Sequence, residues 1–234
     1  MPNRQVEQTK KKRNIFNIVL ILLFIYISDD TLFFGTNSDQ TMVTIKYAFI
    51  ISMSIILLEY SLLRQKECLR KNIYTFAILI ICIMVSMVFN NDFRLGYFYK
   101  IALLIYAVAI FRLVGFIEFQ KIFTDIIVVL ALASLIGFLL VYLHIPIVNI
   151  APTVVNNAGG VYRNFGIFIT PTSFYSGFVR NYGIFREPGV YQMYLIVALL
   201  FHVCSIEIDV SKIIILVLAV VTTMSTTGYI ALFF

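Results

Sequence analysis

The chain has 234 residues, of which 61% are hydrophobic and 13% charged, with a formal net charge of +6 and a mean hydropathy of +0.94. An average soluble domain is about 45–50% apolar and about 25% charged, so one soluble core cannot bury this much apolar surface beneath a polar skin. The composition excludes an ordinary soluble enzyme, a disordered chain and a disulfide scaffold, and it indicates an all-α, polytopic transmembrane helix bundle.

A spanning helix needs roughly 20 mostly apolar residues. Candidate spans are residues 14–28, 42–63, 73–89, 96–111, 122–143, 190–205 and 212–234, which predicts about seven helices in a single integral membrane domain. Each must be helical, because a span cannot leave its backbone unpaired in lipid. The first run is short and must borrow flanking turns. It follows the basic cluster Lys10, Lys11, Lys12 and Arg13 and ends Tyr26-Ile27-Ser28-Asp29-Asp30, with no small-x-small cleavage site. An uncleaved signal anchor fits this better than a signal peptide.

The positive charge does not read as a nucleic-acid footprint, because the basic residues flank apolar runs. Arg4 and Lys10 to Arg13 precede the first span; Arg64, Lys66, Arg70 and Lys71 separate the second and third. Arg112 and Lys121 separate the fourth and fifth, and Lys212 follows the sixth. All fall on the side of the N-terminus, which the positive-inside rule makes cytoplasmic. The first loop on the other side holds Asp29, Asp30 and Asp39. The expected location is the bacterial cytoplasmic (inner) membrane, multi-pass.

Residues 144–189 interrupt the apolar pattern and form the expected extracytoplasmic loop. They hold Pro146, Pro152, Pro171 and Pro188, four of the chain's five prolines, and the turn signal Asn156-Asn157-Ala158-Gly159-Gly160. Loops beyond about 15 residues are uncommon without a function. Phe165, Phe168, Phe174, Tyr175, Phe178 and Tyr182 make this one too apolar to be freely solvated, which predicts half-helices on or dipping into the membrane surface. A hydrophobic plug that only packs the bundle is the plainer alternative.

Arg163, Arg180 and Arg186 lie in this loop, on the face where positive charge is disfavoured. A guanidinium offers a fixed fork of donors that matches phosphate, so the three arginines are candidate binders of an anionic phosphate ligand. Anchoring to lipid head groups is the alternative. Arg186-Glu187-Pro188-Gly189 directly precedes the sixth span. Proline suits the first helical position, which makes Glu187 the helix cap; it is also a carboxylate able to take a proton from a sugar hydroxyl.

Other features are weaker. Lys46 and Lys100 read as snorkelling cations, and Glu59 and Asp125 as residues reaching the inner interface. His144 and His202 read as hydrogen-bonded structural residues. The run Thr222-Thr223-Met224-Ser225-Thr226-Thr227-Gly228 suits close helix packing or the lining of a polar groove. Cys68, Cys82 and Cys204 have neither disulfide nor metal spacing. There is no HExxH, CxxC, Walker loop or GxGxxG, so no metal and no cofactor are expected. Any bond-making must draw on an already activated donor.

The stretch Arg180-Asn181-Tyr182-Gly183-Ile184-Phe185-Arg186-Glu187-Pro188-Gly189-Val190-Tyr191 resembles a signature of the Wzy-type O-antigen and capsular polysaccharide polymerase family, which is related to the O-antigen ligases. In that family an arginine, an aromatic residue and Glu-Pro-Gly precede a helix after an outer loop. The tail Thr223-Met224-Ser225-Thr226-Thr227-Gly228-Tyr229-Ile230 is similar to its following Thr/Ser-rich helix. The resemblance implies a metal-independent membrane glycosyltransferase that joins undecaprenyl-pyrophosphate-linked oligosaccharide repeats at the outer membrane face, with a chain-length regulator protein as a partner. It implies Arg186 and Arg180 as donor-phosphate ligands and Glu187 at the acidic position; Arg163, outside the motif, is a candidate substrate contact from its place in the loop. It also implies that 1–234 is the N-terminal part of a longer fold, with further spans and a second arginine-bearing loop. The Arg-x10-Gly spacing of some polymerases does not follow Arg163, Arg180 or Arg186.

Two other classes compete with this expectation. A flippase or transporter of the lipid-linked oligosaccharide needs polar residues and broken helices near mid-membrane. A non-catalytic membrane module needs an output domain or a partner surface.

Overall fold

A computed structural model describes residues 2–28, 31, 40–64, 69–145, 150–155, 160–172, 179–205 and 207–233. The turn at 156–159, the aromatics Phe174, Tyr175 and Phe178, the acidic Asp29, Asp30 and Asp39, and Cys68 lie outside the described residues. The protein is mostly helical. In chain order the elements are α1 (Pro2–Ile27), α2 (Gln40–Arg64), α3 (Leu69–Phe89), α4 (Leu95–Val114), α5 (Phe116–Tyr142), β1 (Thr153–Val155), β2 (Val161–Asn164), β3 (Ile169–Pro171), α6 (Pro188–Val203), α7 (Val210–Thr222) and α8 (Thr226–Phe233).

Among the described residues, three helical stretches are long and apolar enough to cross a membrane: Thr44–Leu63, Leu95–Val114 and Phe116–Tyr142. Asn14–Ile27, Phe76–Phe89, Pro188–Val203 and Val210–Thr222 are apolar but shorter. Large apolar side chains cover their outward faces, Phe89 at 87% exposed, Ile117 at 81% and Val129 at 66% among them. A soluble monomer rarely shows so much contiguous apolar surface, and lipid is the solvent that suits it.

Two sequence expectations about the elements change, and the flanking turns that the first apolar run must borrow are present. Helix α1 begins at Pro2, well before the apolar run; proline is tolerated in a first turn and the Lys/Arg/Gln-rich stretch favours helix. The stretch before α6 holds no α-helix among its described residues. It forms a three-stranded antiparallel sheet, ordered β1-β2-β3, with Val154 opposite Tyr162 and Arg163 opposite Thr170. The run at 212–234 is not one helix: it breaks between α7 and α8, where Met224 adopts φ 50°.

The chain divides into two compact units, one of Met1–Ser28 with Thr44–Phe119, the other of Asp29–Val43 with Gln120–Phe234. In the first unit Ile27, Ile50, Tyr99 and Ala102 form a buried cluster. Polar groups stitch its helices together. The Tyr99 hydroxyl donates to the Ile27 carbonyl, and Ser54 Oγ donates to the Ala102 carbonyl at 2.8 Å. Lys46 does not snorkel: it is 6% exposed, with Nζ 5.2 Å from the centroid of the Tyr99 ring, so the ring face stands in for water. The Arg112 guanidinium, also buried, donates to the Ser61 carbonyl at 3.3 Å.

Helix ends follow local rules. Asn91 (φ 47°) ends α3 and His144 (φ 55°) ends α5. At each, two amides fold back on the last turn: Asn91 N to Val88 O and Asp92 N to Met87 O, then His144 N to Val141 O and Ile145 N to Leu140 O. This double return is the Schellman cap, and it makes His144 a helix-terminating residue. Just after the first cap, the carboxylate of Asp92 takes hydrogen bonds from Arg94 at 2.8 and 2.5 Å, which hold its pKa below the usual range.

In the second unit α6 packs on α7 and α8. Asp125 does more than reach the interface, since it accepts from Lys212 Nζ at 2.5 Å and joins α5 to α7. His202, buried near the end of α6, accepts the Asp209 amide at Nε2 over 2.9 Å. Asp209 in turn caps α7 through Ser211 N at 2.9 Å.

Candidate functional site

Residues 179–187 run from the sheet into α6 and are held at three levels. Lowest is the end of α7. The Asn181 amide donates to Thr222 O at 2.9 Å, and Asn181 Nδ2 reaches Thr222 Oγ1 at 3.0 Å and Ser134 Oγ of α5 at 3.1 Å. Arg180 donates from Nε to Thr223 O and from Nη2 to Met224 O, each at 3.1 Å. A helix end leaves its last carbonyls without intrahelical partners, and here a loop arginine and asparagine supply them.

The second level is a turn. Asn181 Oδ1 accepts from the Gly183 amide at 3.0 Å, an Asx-type turn closed by Gly183 at φ 55°. Tyr191 of α6 lies against it. Its hydroxyl shares a 2.7 Å hydrogen bond with Ser134 Oγ, and its ring stacks on Phe185 with centroids 5.7 Å apart. The third level ties Phe185 to Thr31 by an antiparallel bridge.

Glu187 occupies the N-cap of α6 with Pro188 behind it, as the sequence predicts, but its carboxylate makes no capping hydrogen bond. The cap is therefore positional, and the carboxylate, like the side chain of Arg186 beside it, is exposed. Tyr182 feels the charges of both Arg180 and Glu187. Burial pushes its phenol up, the Arg180 cation draws it back, and the Glu187 carboxylate pushes it up further. The phenol thus stays a neutral donor at physiological pH. Its ring meets Tyr162 of β2 edge-on at 5.6 Å.

Of the sequence-predicted site residues, the structure places Arg180 on the end of α7 and leaves Arg186 and Glu187 exposed at the head of α6. Arg163 is placed differently. Successive side chains on a strand leave opposite faces, so Arg163 points away from the face where Tyr162 meets Tyr182. Its Nη1 donates to the Ala151 carbonyl at 3.1 Å.

A small cleft of about 10 Å³ lies beside the clamp, room for about one water molecule, lined by Ser134, Phe138, Thr170, Arg180 and Asn181 among others. Among the described residues no cluster of His, Cys, Asp or Glu is suited to a metal ion. Sequence reasoning missed Ser134 and the clamping role of Asn181; the Asn-x-Gly spacing at 181–183 was the available signal. The chain matches no protein-family model, no curated protein and no solved structure.

Proposed function

We propose that the protein is a metal-independent membrane glycosyltransferase that joins undecaprenyl-pyrophosphate-linked oligosaccharide repeats into surface polysaccharide at the outer face of the bacterial inner membrane. In this reading the chain makes about seven spans with its N-terminus in the cytoplasm, and 144–189 face outward. The observation that supports it is the 180–191 stretch: Arg186 and Glu187 are consecutive exposed residues at the head of α6, a few positions after Arg180. Arg186 holds the leaving pyrophosphate, where charge grows as the glycosidic bond breaks. Glu187, uncommitted to capping, takes the proton of the attacking sugar hydroxyl. Arg180 and Arg163 serve the substrate with only part of each fork, because carbonyls already take some of their donors. The donor arrives activated, so no cofactor is required. A chain-length regulator protein is the natural partner.

One observation favours a second reading, transport of the lipid-linked oligosaccharide. From the Lys212–Asp125 pair to the break after Thr222, α7 rises roughly 15 Å, about half of a ~30 Å hydrocarbon core. A broken helix with an arginine near that depth is a transporter-like feature. Deleting the gene separates the two. Loss of polymerisation leaves single repeats at the surface and lipid-linked repeats in the outer leaflet. Accumulation of those repeats facing the cytoplasm would make transport the function.

A further inference from the structure

Thr222, Thr223 and Met224 present three successive carbonyls at the end of α7, and one dipeptide takes all three. Asn181 N serves Thr222 O; Arg180 Nε and Nη2 serve Thr223 O and Met224 O. In an unbroken helix the same carbonyls accept from the amides of Thr226, Thr227 and Gly228. Instead the Gly228 amide turns to Ser225 O at 3.0 Å. Neither proline nor glycine forces this break. Thr222 to Thr226 include neither proline nor glycine, the usual causes of a sharp kink. Met224 meanwhile sits at φ 50°, a region that non-glycine residues seldom occupy. The clamp takes up the carbonyls that the break frees, in a hydroxyl-rich stretch where Ser225 stands at the N-cap position of α8.

The broken form carries a second burden. Gly228 of α8 is pressed on Gln192 of α6, where a Cβ would stand 2.6 Å from the amide carbon. Gln192 is 2% exposed and its Oε1 is buried without a hydrogen-bond partner, a costly state for an amide oxygen. Straightening the helix swings α8 off Gln192 and opens that oxygen to partners.

We propose that α7–α8 is a two-state element: broken while Arg180 and Asn181 latch its three carbonyls, and one continuous helix over 210–233 when the latch releases. The exchange is close to balanced, since three hydrogen bonds from the latch replace three within the helix, and elements so balanced are the ones a ligand can shift. The inference rests on α5–α8 geometry alone and is independent of the reaction proposed above.

The test is a spin-label distance in lipid nanodiscs. Labels are placed at Ser211→Cys and Ala231→Cys, with Cys68, Cys82 and Cys204 replaced by serine. A continuous helix separates these positions by roughly 30 Å along its axis; the latched form gives a shorter distance. Arg180→Ala with Asn181→Ala should make the longer distance the major population. Adding Met224→Gly, which eases the φ 50° conformation, should shift the population back toward the shorter one. If the double variant folds with wild-type helicity and keeps the wild-type distance, the proposal is overturned. Should that variant fail to fold, Arg180→Lys, which retains the Asn181 bonds, must still show a rise in the longer population, and no rise overturns the proposal.

Discussion

Gly183 lies directly against the ring of Tyr191: a Cβ built on Gly183 would stand 2.7 Å from the ring, and the backbone there has φ +55°. The ring cannot easily retreat, because its hydroxyl is bonded to Ser134 and its other side is stacked on Phe185. Gly183→Ala therefore meets both a disfavoured conformation and an overpacked contact, and should cost about 2–4 kcal/mol. Gly189→Ala is the control, since nothing lies within 4 Å of its Cβ position. Thermal unfolding in nanodiscs compares them. Equal melting temperatures would mean that residues 179–187 are not seated on α6 in this way.

The opposite sign is expected at His144. This residue ends α5 at φ 55°, and its Nδ1 lies 3.0 Å from the Tyr142 carbonyl while the side chain stays exposed. Glycine adopts that conformation without a Cβ penalty, so His144→Gly should stabilise by about 1 kcal/mol. The same melting assay checks it. A loss of stability would show that the ring contributes more than the backbone strain it leaves in place.

The two kinds of feature differ in how far they could be read from the chain. The helices stood out because lipid requires every span to satisfy its own backbone, so an apolar run in the sequence is nearly a statement of structure. The break after Thr222 did not, because its donors, Arg180 and Asn181, lie some forty positions away in sequence and Thr222 to Thr226 hold no proline or glycine. The sheet was hidden for another reason: Val161-Tyr162-Arg163-Asn164 is four residues long, too short for an alternating pattern to be distinguished from a loop. Lys46 was misread because snorkelling is the general habit of a lysine near a helix end, and only the tertiary position of Tyr99 offers it another place. Glu187 was located from Pro188 alone, whereas its lack of a capping bond depends on a side-chain orientation that no sequence rule specifies.

Orientation can be checked with the native cysteines. Cys204 is exposed in the turn between α6 and α7, on the side that the basic residues assign to the cytoplasm. In a protein with Cys68 and Cys82 changed to serine, a membrane-impermeant maleimide should miss Cys204 in intact cells and label it after permeabilisation. Thr153→Cys, exposed on β1, should label from outside once Cys204 is also replaced. Labelling of Cys204 in intact cells would reverse the topology and put the candidate site in the wrong compartment.

Arg180 and Arg186 should fail in different ways, and that contrast tests the assignment of the site. Arg186 is exposed and contributes little to folding, yet in the proposed reaction it meets the growing charge of the leaving pyrophosphate. Arg186→Ala should therefore lose roughly 2–4 kcal/mol of transition-state stabilisation, by analogy with removing an oxyanion donor, at near-normal protein level. Arg186→Lys keeps the charge but not the fork, and should remain severely impaired. Arg163→Lys should be milder, because Arg163 lies on the far face of the sheet and binds a carbonyl there. Arg180 secures the end of α7 through two backbone bonds, and bonds of this kind between membrane helices are worth about 0.6 kcal/mol on average and up to about 1.7. Arg180→Ala should thus lower the melting temperature as well as activity. Polymer length on gels, read beside an immunoblot and a melting curve, separates these outcomes. Normal long chains from Arg186→Ala would remove that residue from the site, and disappearance of the protein itself would make its role structural.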